Sequence, residues 1–347
     1  MDLSKIFLKD ACPTSVGGQA VMEGIMMRGV ERSAIAVRLP DGRIHIKTTA
    51  NGGKKKWMKI PLIRGVVSFV TSLVQGTKTL MYSADVLEAC WPEEEEEKPG
   101  KLETWITEKF GEKAVWKAMI YLSVVIALAF SIGVFILLPT VVANFVSGLI
   151  DSKFVMNLVE GLFRLILFVV YIALIARMSD IHRVFQYHGA EHKTIHCFEN
   201  GLELTPANAQ QFYTLHPRCG TSFLMFVIVI SFILHLLMGW PGLAMRIASR
   251  LLILPVVAGL SYELLKWAGR SDNWLVKVLS MPGLYLQKLT TNEPDDEQLE
   301  VAIAAVKAVM VPEDTPYFEG ICDKDGCFLE ENQLMKKKYD ENNNLEE

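Results

Sequence analysis

The sequence predicts a mainly α-helical membrane bundle, with a small N-terminal β-hairpin segment and a soluble C-terminal helix. Hydrophobic residues make up 51% of the 347-residue chain and the mean hydropathy is +0.26, which is apolar for a water-soluble protein of this size. Four stretches are also long and apolar enough to cross a bilayer. They lie at about 118–142, 154–176, 222–240 and 247–267, within a membrane domain predicted to cover residues 117–270.

Residues 1–60 are predicted to form a small soluble segment. Two short runs that alternate apolar and polar residues flank Pro40-Asp41-Gly42, a pattern typical of a β-hairpin. Arg38, Arg43 and His45 are then interpreted as ordinary surface residues of that hairpin. The first residues lack the apolar core of a secretory signal, so we expect no cleaved leader.

The other segments differ in composition. Residues 61–92 are apolar but interrupted by Arg64, Lys78 and Asp85, which favours an amphipathic or interfacial helix. Residues 93–116 combine the acidic run EEEEEK with a cytoplasmic helix, and 271–311 are predicted to be a cytoplasmic helical segment. The tail, 312–347, is polar near its end and is expected to be largely disordered.

The loop charges predict the orientation, because basic residues concentrate on the cytoplasmic side. The first inter-span loop contributes only Lys153, whereas four basic residues occupy the loop at 177–221 and a lysine run precedes the first span. Arg246 and Arg250, beside the third loop, run against this trend. We expect both termini and the 177–221 loop in the cytoplasm. The basic residues are Lys54, Lys55, Lys56, Arg177, Arg183, Lys193 and Arg218.

Charge and cysteine content exclude some classes of function. The net charge of -4 gives no electrostatic reason to expect a nucleic-acid partner, and the lipid bilayer is the partner that the apolar segments imply. The six cysteines are scattered rather than arranged as a disulfide framework, which suits a reducing compartment.

A histidine-rich segment contains the candidate metal ligands and the candidate catalytic residue. Five of the seven histidines lie between 182 and 216, and His188-Gly189-Ala190-Glu191-His192 forms an H-x-x-E-H pattern. On a helix, His188 and His192 lie one turn apart on the same face and can hold one zinc ion or another divalent transition metal. Glu191 lies beside them and can take a proton from metal-bound water, its role in inverted zincin sites. The pattern arises by chance in roughly one chain in a hundred, so by itself it is only suggestive.

Catalytic zinc usually has three protein ligands, so a third donor is needed. Glu263 is the best candidate by position, because it is an ionisable residue near the cytoplasmic end of the fourth predicted span. The alternative is a salt bridge or hydrogen bond inside the bundle, and the sequence does not decide between the two.

Three further residues are candidates for supporting or alternative ligands. His216 and Cys219 lie in the run HPRCGT just before the third span, and both have ligand chemistry. A capped entry into that span, with Cys219 as a small buried residue, explains them equally well. His196 lies one more turn along the face of His188 and His192.

Four runs resemble the YqhQ-like bacterial membrane proteins: GGQAVMEGIMMRG, YHGAEHKTIHCFE, HPRCGTSF and PGLYLQKLTTNEPDDEQLEVAIAA. The resemblance covers about residues 15–310. That group has no known function, although it is sometimes described as a metal-dependent enzyme. The resemblance implies a bacterial cytoplasmic-membrane location and one site built from His188, Glu191, His192, His216 and Cys219, and it implies no substrate.

Two functions from different classes remain. One is a zinc-dependent hydrolase that acts on a peptide or lipid bond at the membrane face, with a membrane protein or a lipid as its substrate. The other is a non-catalytic assembly or scaffold protein, whose histidine loop is structural and whose cytoplasmic segments bind protein partners. A transporter is disfavoured, because four spans are few and no paired interrupted helices stand out.

Overall fold

The computed structural model describes residues 12, 14–52, 60–90, 112–237, 242–268, 273–324 and 326–344. The chain divides into two compact units. The first unit combines Met1–Trp91, Tyr171–Ile230 and Pro255–Glu347, and the second combines Pro92–Val170 with Ser231–Leu254. The N-terminal and C-terminal segments therefore belong to the same unit, although the sequence places them at opposite ends of the membrane domain.

A six-stranded antiparallel sheet forms the centre of the first unit, and its strands follow one another in the order β1 to β6. The predicted hairpin is confirmed, because β3 and β4 pair in register with Val37 opposite His45. The strands are β1 (Gly17–Val21), β2 (Gly24–Arg28), β3 (Arg32–Arg38), β4 (Ile44–Ala50), β5 (Glu319–Cys322) and β6 (Phe328–Glu330).

The tail, residues 312–347, differs most clearly from what the sequence predicts. We expected residues 312–347 to be largely disordered, but β5 pairs with β4, with Gly320 opposite Ile46, and β6 extends the sheet. The β4 edge needs partners for its backbone N–H and C=O groups, and the tail supplies them. The guanidinium of buried Arg32 also donates to the carbonyl oxygens of Pro312 and Thr315, at 3.1 and 2.8 Å.

The described residues also form eleven helices or helical turns, together with a π-helical turn at Gly133–Leu137 and a 3-10 turn at Ser147–Leu149. Two helices lie within residues 271–311, where the sequence predicts a cytoplasmic helical segment. The helices are α1 (Ile63–Cys90), α2 (Glu112–Ile132), α3 (Leu138–Val146), α4 (Lys153–Ile175), α5 (Ser179–Glu199), α6 (Pro206–Ala209), α7 (Gly220–Leu237), α8 (Leu243–Ala268), α9 (Trp274–Thr290), α10 (Asp296–Val309) and α11 (Gln333–Asn344).

Helices cover both faces of the sheet. Alternate strand residues point to opposite faces, so Ile25 and Met27 pack with α5 and α10, whereas Met26 packs with the last turns of α1. His45 belongs to the α1 face and is fully buried, so its interpretation as a surface residue was wrong. The alternating pattern that identified the hairpin could not show that a helix covers its second face.

Among the described residues, three helices are long and apolar enough to span a membrane: Val125–Val146, Lys153–Ile175 and Gly220–Leu237. Their length and composition make these helices candidate membrane spans. The fourth predicted span corresponds to α8, which includes Arg246, Arg250 and Glu263 and is not among the three. Residues 93–111, predicted to be an acidic linker with a helix, lie outside the described residues.

The second unit holds an ion pair in the first half of α4, in which the Glu160 side chain is buried and the Arg164 side chain is partly exposed. The Glu160 carboxylate lies 3.2 Å from the Arg164 guanidinium and accepts a 3.0 Å hydrogen bond from the Thr140 hydroxyl. The i, i+4 spacing of Glu160 and Arg164 is that of adjacent residues on one helix face. The opposite charges of Glu160 and Arg164 therefore neutralise each other within this apolar helix.

Candidate metal centre

The histidine-rich segment forms α5, and one face of that helix is turned inward. His192, His196 and Glu199 are at most 5% exposed, and their spacing of four and three residues places them along one helical stripe, with the equally buried Glu191 beside it. This stripe is polar, whereas a buried helix face is ordinarily apolar. Such a concentration of buried polar groups needs specific partners or a ligand.

Three side chains converge on one point. The Nε2 atom of His188 lies 3.1 Å from the Cys219 sulfur, and one donor atom from each of His188, His192 and Cys219 lies within 4.8 Å of the others. We refer to these three residues as the three-donor cluster. Zinc bonds of about 2.0–2.3 Å imply donor separations of roughly 3.5 Å, so small side-chain rotations suffice to seat one ion.

Backbone carbonyl groups fix the protonation of both imidazoles. Nδ1 of His188 lies 2.7 Å from the carbonyl oxygen of Thr290, and Nδ1 of His192 contacts that of Thr214. A carbonyl oxygen only accepts, so each Nδ1 carries a proton, and a metal would bind each ring through Nε2 after displacing any proton there. Nε2 of His192 is buried and has no hydrogen-bond partner among the described residues.

Gly189 allows the backbone at Asn292, just after the end of α9, to approach α5 closely. A Cβ atom at residue 189 would lie 2.0 Å from the carbonyl oxygen of Asn292, which no side chain tolerates. The Asn292 amide meanwhile donates to the carbonyl oxygen of Phe185 at 2.9 Å. The glycine between the histidine and the glutamate of the motif is therefore explained by helix packing.

The histidines shift the pKa of the Cys219 thiol, and the Cys219 sulfur shifts the pKa of His188. Burial alone would raise the pKa of the Cys219 thiol, but the facing His192 and His188 outweigh it and hold that pKa well below its usual value. Burial lowers the pKa of His188, yet the Cys219 sulfur opposes this and the pKa of His188 rises to about 9. A thiolate is the form of cysteine that binds metals.

Glu191 is held beside the cluster by the first strand. The amide of Gly18 donates a 2.8 Å hydrogen bond to one carboxylate oxygen of Glu191. Burial raises the pKa of Glu191, although the nearby His192 and His188 oppose the shift. The carboxyl group therefore holds a proton more readily than an exposed glutamate, which suits a group that accepts and returns protons.

A second layer of polar groups surrounds the cluster. The ring centroid of His216 lies 5.5 Å from that of His192 and 4.6 Å from that of His196. Nε2 of His196 meets the carbonyl oxygen of Leu215 at 3.0 Å, and burial lowers the pKa of His196 to about 4 and that of His216 to about 3. Both histidines are therefore neutral supports and lie outside the three-donor cluster.

Glu199 belongs to the same layer of polar groups and contacts three of its neighbours. Its carboxylate accepts hydrogen bonds from the Thr14 amide at 2.8 Å and from the Arg218 guanidinium, and lies 3.9 Å from Nε2 of His216. Burial raises its pKa, but His216, Thr14 and Arg218 together bring the pKa to about 2. The segment before α7 is thus clamped to the end of α5.

Glu263 is not the third donor. Its carboxylate forms a bidentate ion pair with the Arg64 guanidinium of α1, and Cys219 takes the third position in the cluster instead. The bundle salt bridge was the alternative interpretation of Glu263, and it is the one that the structure supports. Arg64 lies on a separate helix, α1, so no spacing along the chain indicates that the two residues pair.

Comparison with known proteins gives a family. The model of a family described as "Protein of unknown function (DUF1385)" matches residues 60–311. This chain belongs to the DUF1385 family. It is 36% identical over 310 residues to the uncharacterized protein YqhQ of Bacillus subtilis (strain 168), an alignment that covers 87% of this chain and 94% of that relative. No solved structure matches the chain.

The DUF1385 match includes the three-donor cluster and Glu191 but leaves out all six strands, β1 to β6. The residue that sequence reasoning missed on β1 is Gly18, whose signal was the glycine-rich run at 17–29. The carbonyl groups of Thr214 and Thr290 were also missed. Backbone acceptors have no side-chain signature, so no pattern in the sequence indicates them.

Proposed function

We propose that this protein is a zinc-dependent hydrolase of the bacterial cytoplasmic membrane, which acts on a peptide or lipid bond at the cytoplasmic face. In this proposal the chain crosses the membrane four times, with α8 as the fourth span and both termini in the cytoplasm. The observation that carries the proposal is the buried, unpartnered Nε2 of His192, which shares one point with His188 and Cys219.

The donor set favours zinc. Imidazole nitrogen and thiolate sulfur are zinc's preferred protein ligands, and hard cations such as magnesium select oxygen instead. Three protein donors leave a fourth tetrahedral position for water or substrate, as in catalytic rather than structural zinc sites. When bound, zinc supplies a Lewis acid next to the scissile bond.

Glu191 is the group that moves the proton. Its spacing from His188 and His192 keeps it beside the three-donor cluster, and its bond to the Gly18 amide fixes one carboxylate oxygen. The second oxygen remains to take a proton from the attacking water and deliver it to the leaving group. Its raised pKa supports both steps at neutral pH.

The position of Cys219 supports a substrate held at the membrane. Cys219 directly precedes Gly220, where α7 begins as a candidate span. The metal donors therefore lie at the level where the chain enters the bilayer, and a membrane-anchored peptide or a lipid is the substrate that reaches this level. The basic residues at 177–221 support a cytoplasmic location for it.

The test compares cells that lack the gene with cells that express the wild-type protein, Glu191→Gln or His188→Ala, by profiling membrane lipids and peptides. The hydrolase proposal predicts that the same molecules accumulate without the gene and with Glu191→Gln, while the purified Glu191→Gln protein keeps its zinc. The matched control is His182→Ala, an exposed histidine of the same helix, which should behave as wild type.

The alternative is a scaffold with a structural metal, and one observation favours it. His196, His216 and Glu199 form a buried network that ties α5 to the segment before α7, as a structural site would. A scaffold predicts that Glu191→Gln matches the wild type, whereas His188→Ala matches the deletion because the fold is lost. That outcome would contradict the hydrolase.

A further inference from the structure

The first half of α1 has an inverted arrangement of side chains. Its large apolar residues point away from the protein and its smallest residues point inward. Gly65 and Gly76 are buried, whereas Val70 and Leu73 are 50% and 62% exposed. A helix on the surface of a soluble protein buries its apolar stripe, so this pattern does not suit contact with water. The exposed apolar residues between 63 and 74 are Ile63, Phe69, Val70, Leu73 and Val74.

The inward face of this half is already occupied. A Cβ atom on Gly65 would lie 2.8 Å from the Cα atom of Gly259 and 2.8 Å from the Cβ atom of Tyr262, so α1 and α8 pack nearly backbone to backbone. The one charged residue of the half, Arg64, is paired with Glu263. What remains for another partner is an uncharged and mostly apolar face, which also exposes Thr71 and Ser72.

This face continues the surface of a candidate span. The ring of Phe69 lies 5.7 Å from the ring of Phe223, in the first turn of α7. Because α7 is apolar enough to cross a membrane, side chains at the height of its first turn lie where the bilayer begins. The partner indicated for the exposed face of residues 63–74 is therefore lipid acyl chains.

The second half of α1 has the ordinary arrangement. Val86 and Leu87 are buried in the core cluster on the sheet, and the exposed Asp85 and Glu88 bind Lys338 of α11. A helix lying flat on a membrane would carry one apolar face along its whole length. In α1 the outward apolar face ends at Met81.

We propose that residues 63–74 of α1 insert into the hydrocarbon of one leaflet beside α7, while the later turns leave the bilayer and pack on the sheet. Twelve residues of helix span ~18 Å, close to the roughly 15 Å of hydrocarbon in one leaflet. The helix predicted to lie along the interface over 61–92 is then a helix that enters the membrane with one end only.

The test uses a nitroxide label on the full chain in lipid nanodiscs. Single cysteines are placed at Val70→Cys and Glu88→Cys, and Cys12, Cys90 and Cys327 are replaced by serine to remove the thiols that are not buried. Eighteen residues are five helical turns, so both labels point in the same direction from α1 and differ only in position along it. The serine background without an added cysteine provides the blank.

Insertion predicts that oxygen, which dissolves in lipid, collides with the Val70→Cys label more often than a water-soluble nickel chelate does, and that the order reverses at Glu88→Cys. Frequent nickel collisions at both positions would place residue 70 in water and overturn the proposal. Slow collisions with both reagents at residue 70 would indicate a protein partner, such as a second copy, and overturn it equally. Far-UV circular dichroism of each labelled protein checks the fold.

Discussion

Single glycines decide how closely the backbone approaches the candidate metal centre. Gly18 offers a matched pair for testing this, because its neighbour Gly17 has no atom within 4 Å of an added Cβ. At Gly18 an added Cβ would lie 2.7 Å from the Met26 carbonyl oxygen and 3.0 Å from the Glu191 carboxyl carbon. The substitution must push β1 away from α5 or from β2.

We therefore expect Gly18→Ala to lower the free energy of unfolding by about 1–3 kcal/mol, the usual cost of overpacking a tight contact. Gly17→Ala should leave it nearly unchanged. Thermal unfolding of both variants in detergent, compared with the wild type, measures the difference. Equal stability of the two variants would contradict the close contact between β1 and Glu191.

Buried neutral histidines make stability depend on pH. Burial lowers the pKa of His45 to about 4, and its Nε2 lies 2.8 Å from the Tyr82 hydroxyl. The unfolded chain has a histidine pKa near 6.5, so it binds a proton over a range in which the folded chain does not. The stability that His45 contributes is present above pH ~6.5 and is lost as the pH falls toward 4.

We expect His45→Gln to weaken this dependence. Between neutral pH and about pH 5, the wild type should lose about 2 kcal/mol through His45 in addition to the losses through His196 and His216. The His45→Gln variant should lose only the stability that depends on His196 and His216. Chemical unfolding at the two pH values measures the difference, and an identical loss in both proteins would show that His45 does not titrate on unfolding.

The sequence shows which side chains are able to bind a metal, but it does not show which of them meet in the folded protein. His188, Glu191 and His192 fall on one helix, so helical spacing alone brings them together. The third donor comes from a different segment, where spacing gives no information. Cys219 and Glu263 were both chemically suitable, and the choice depended on Arg64, which removes Glu263 by pairing with it.

At the scale of elements, the tail strand β5 completes the sheet. It covers the edge of β4 and buries Ile321 and Cys322, which are 2% and 3% exposed. Ending the chain after Val311 would leave an unpaired strand edge beside exposed core residues. The same truncation also removes the carbonyl acceptors of buried Arg32.

We expect this truncation to yield aggregated protein, whereas a control that removes only residues 345–347 behaves as the full chain. Size-exclusion chromatography in detergent separates the two results. A monodisperse truncated protein with unchanged thermal stability would show that the tail is dispensable for the sheet.

Elements with a strong local pattern were predictable, and those stabilised by distant partners were not. The hairpin of β3 and β4, the capped helix α10 and the three candidate spans each show their own periodicity or length. The run that forms β5 is four residues long, and its partner β4 lies more than 260 residues earlier in the chain. No local signal identifies such a strand, because its stability comes from the edge that it covers.

At the scale of the whole molecule, one unit joins the sheet, the three-donor cluster and the ends of candidate spans. Cys219 lies at the entry to α7, and Glu191 is fixed by a strand near the N-terminus. The segments that build the site are therefore far apart along the chain and meet only in the folded protein. A metal bound there would link α5 to the start of α7, while Gly18 contacts Glu191 and Thr290 contacts His188 from distant parts of the chain.

Metal analysis of the purified protein decides whether the three-donor cluster binds zinc. Wild-type protein, His188→Ala/His192→Ala and the exposed-histidine control His182→Ala are purified in detergent without chelators, and zinc is measured by inductively coupled plasma mass spectrometry. The account predicts about one zinc per chain in the wild type and in His182→Ala, and almost none in the double variant. A folded wild-type protein that fails to bind added zinc, or a double variant that binds it equally well, would contradict the three-donor cluster as a metal site.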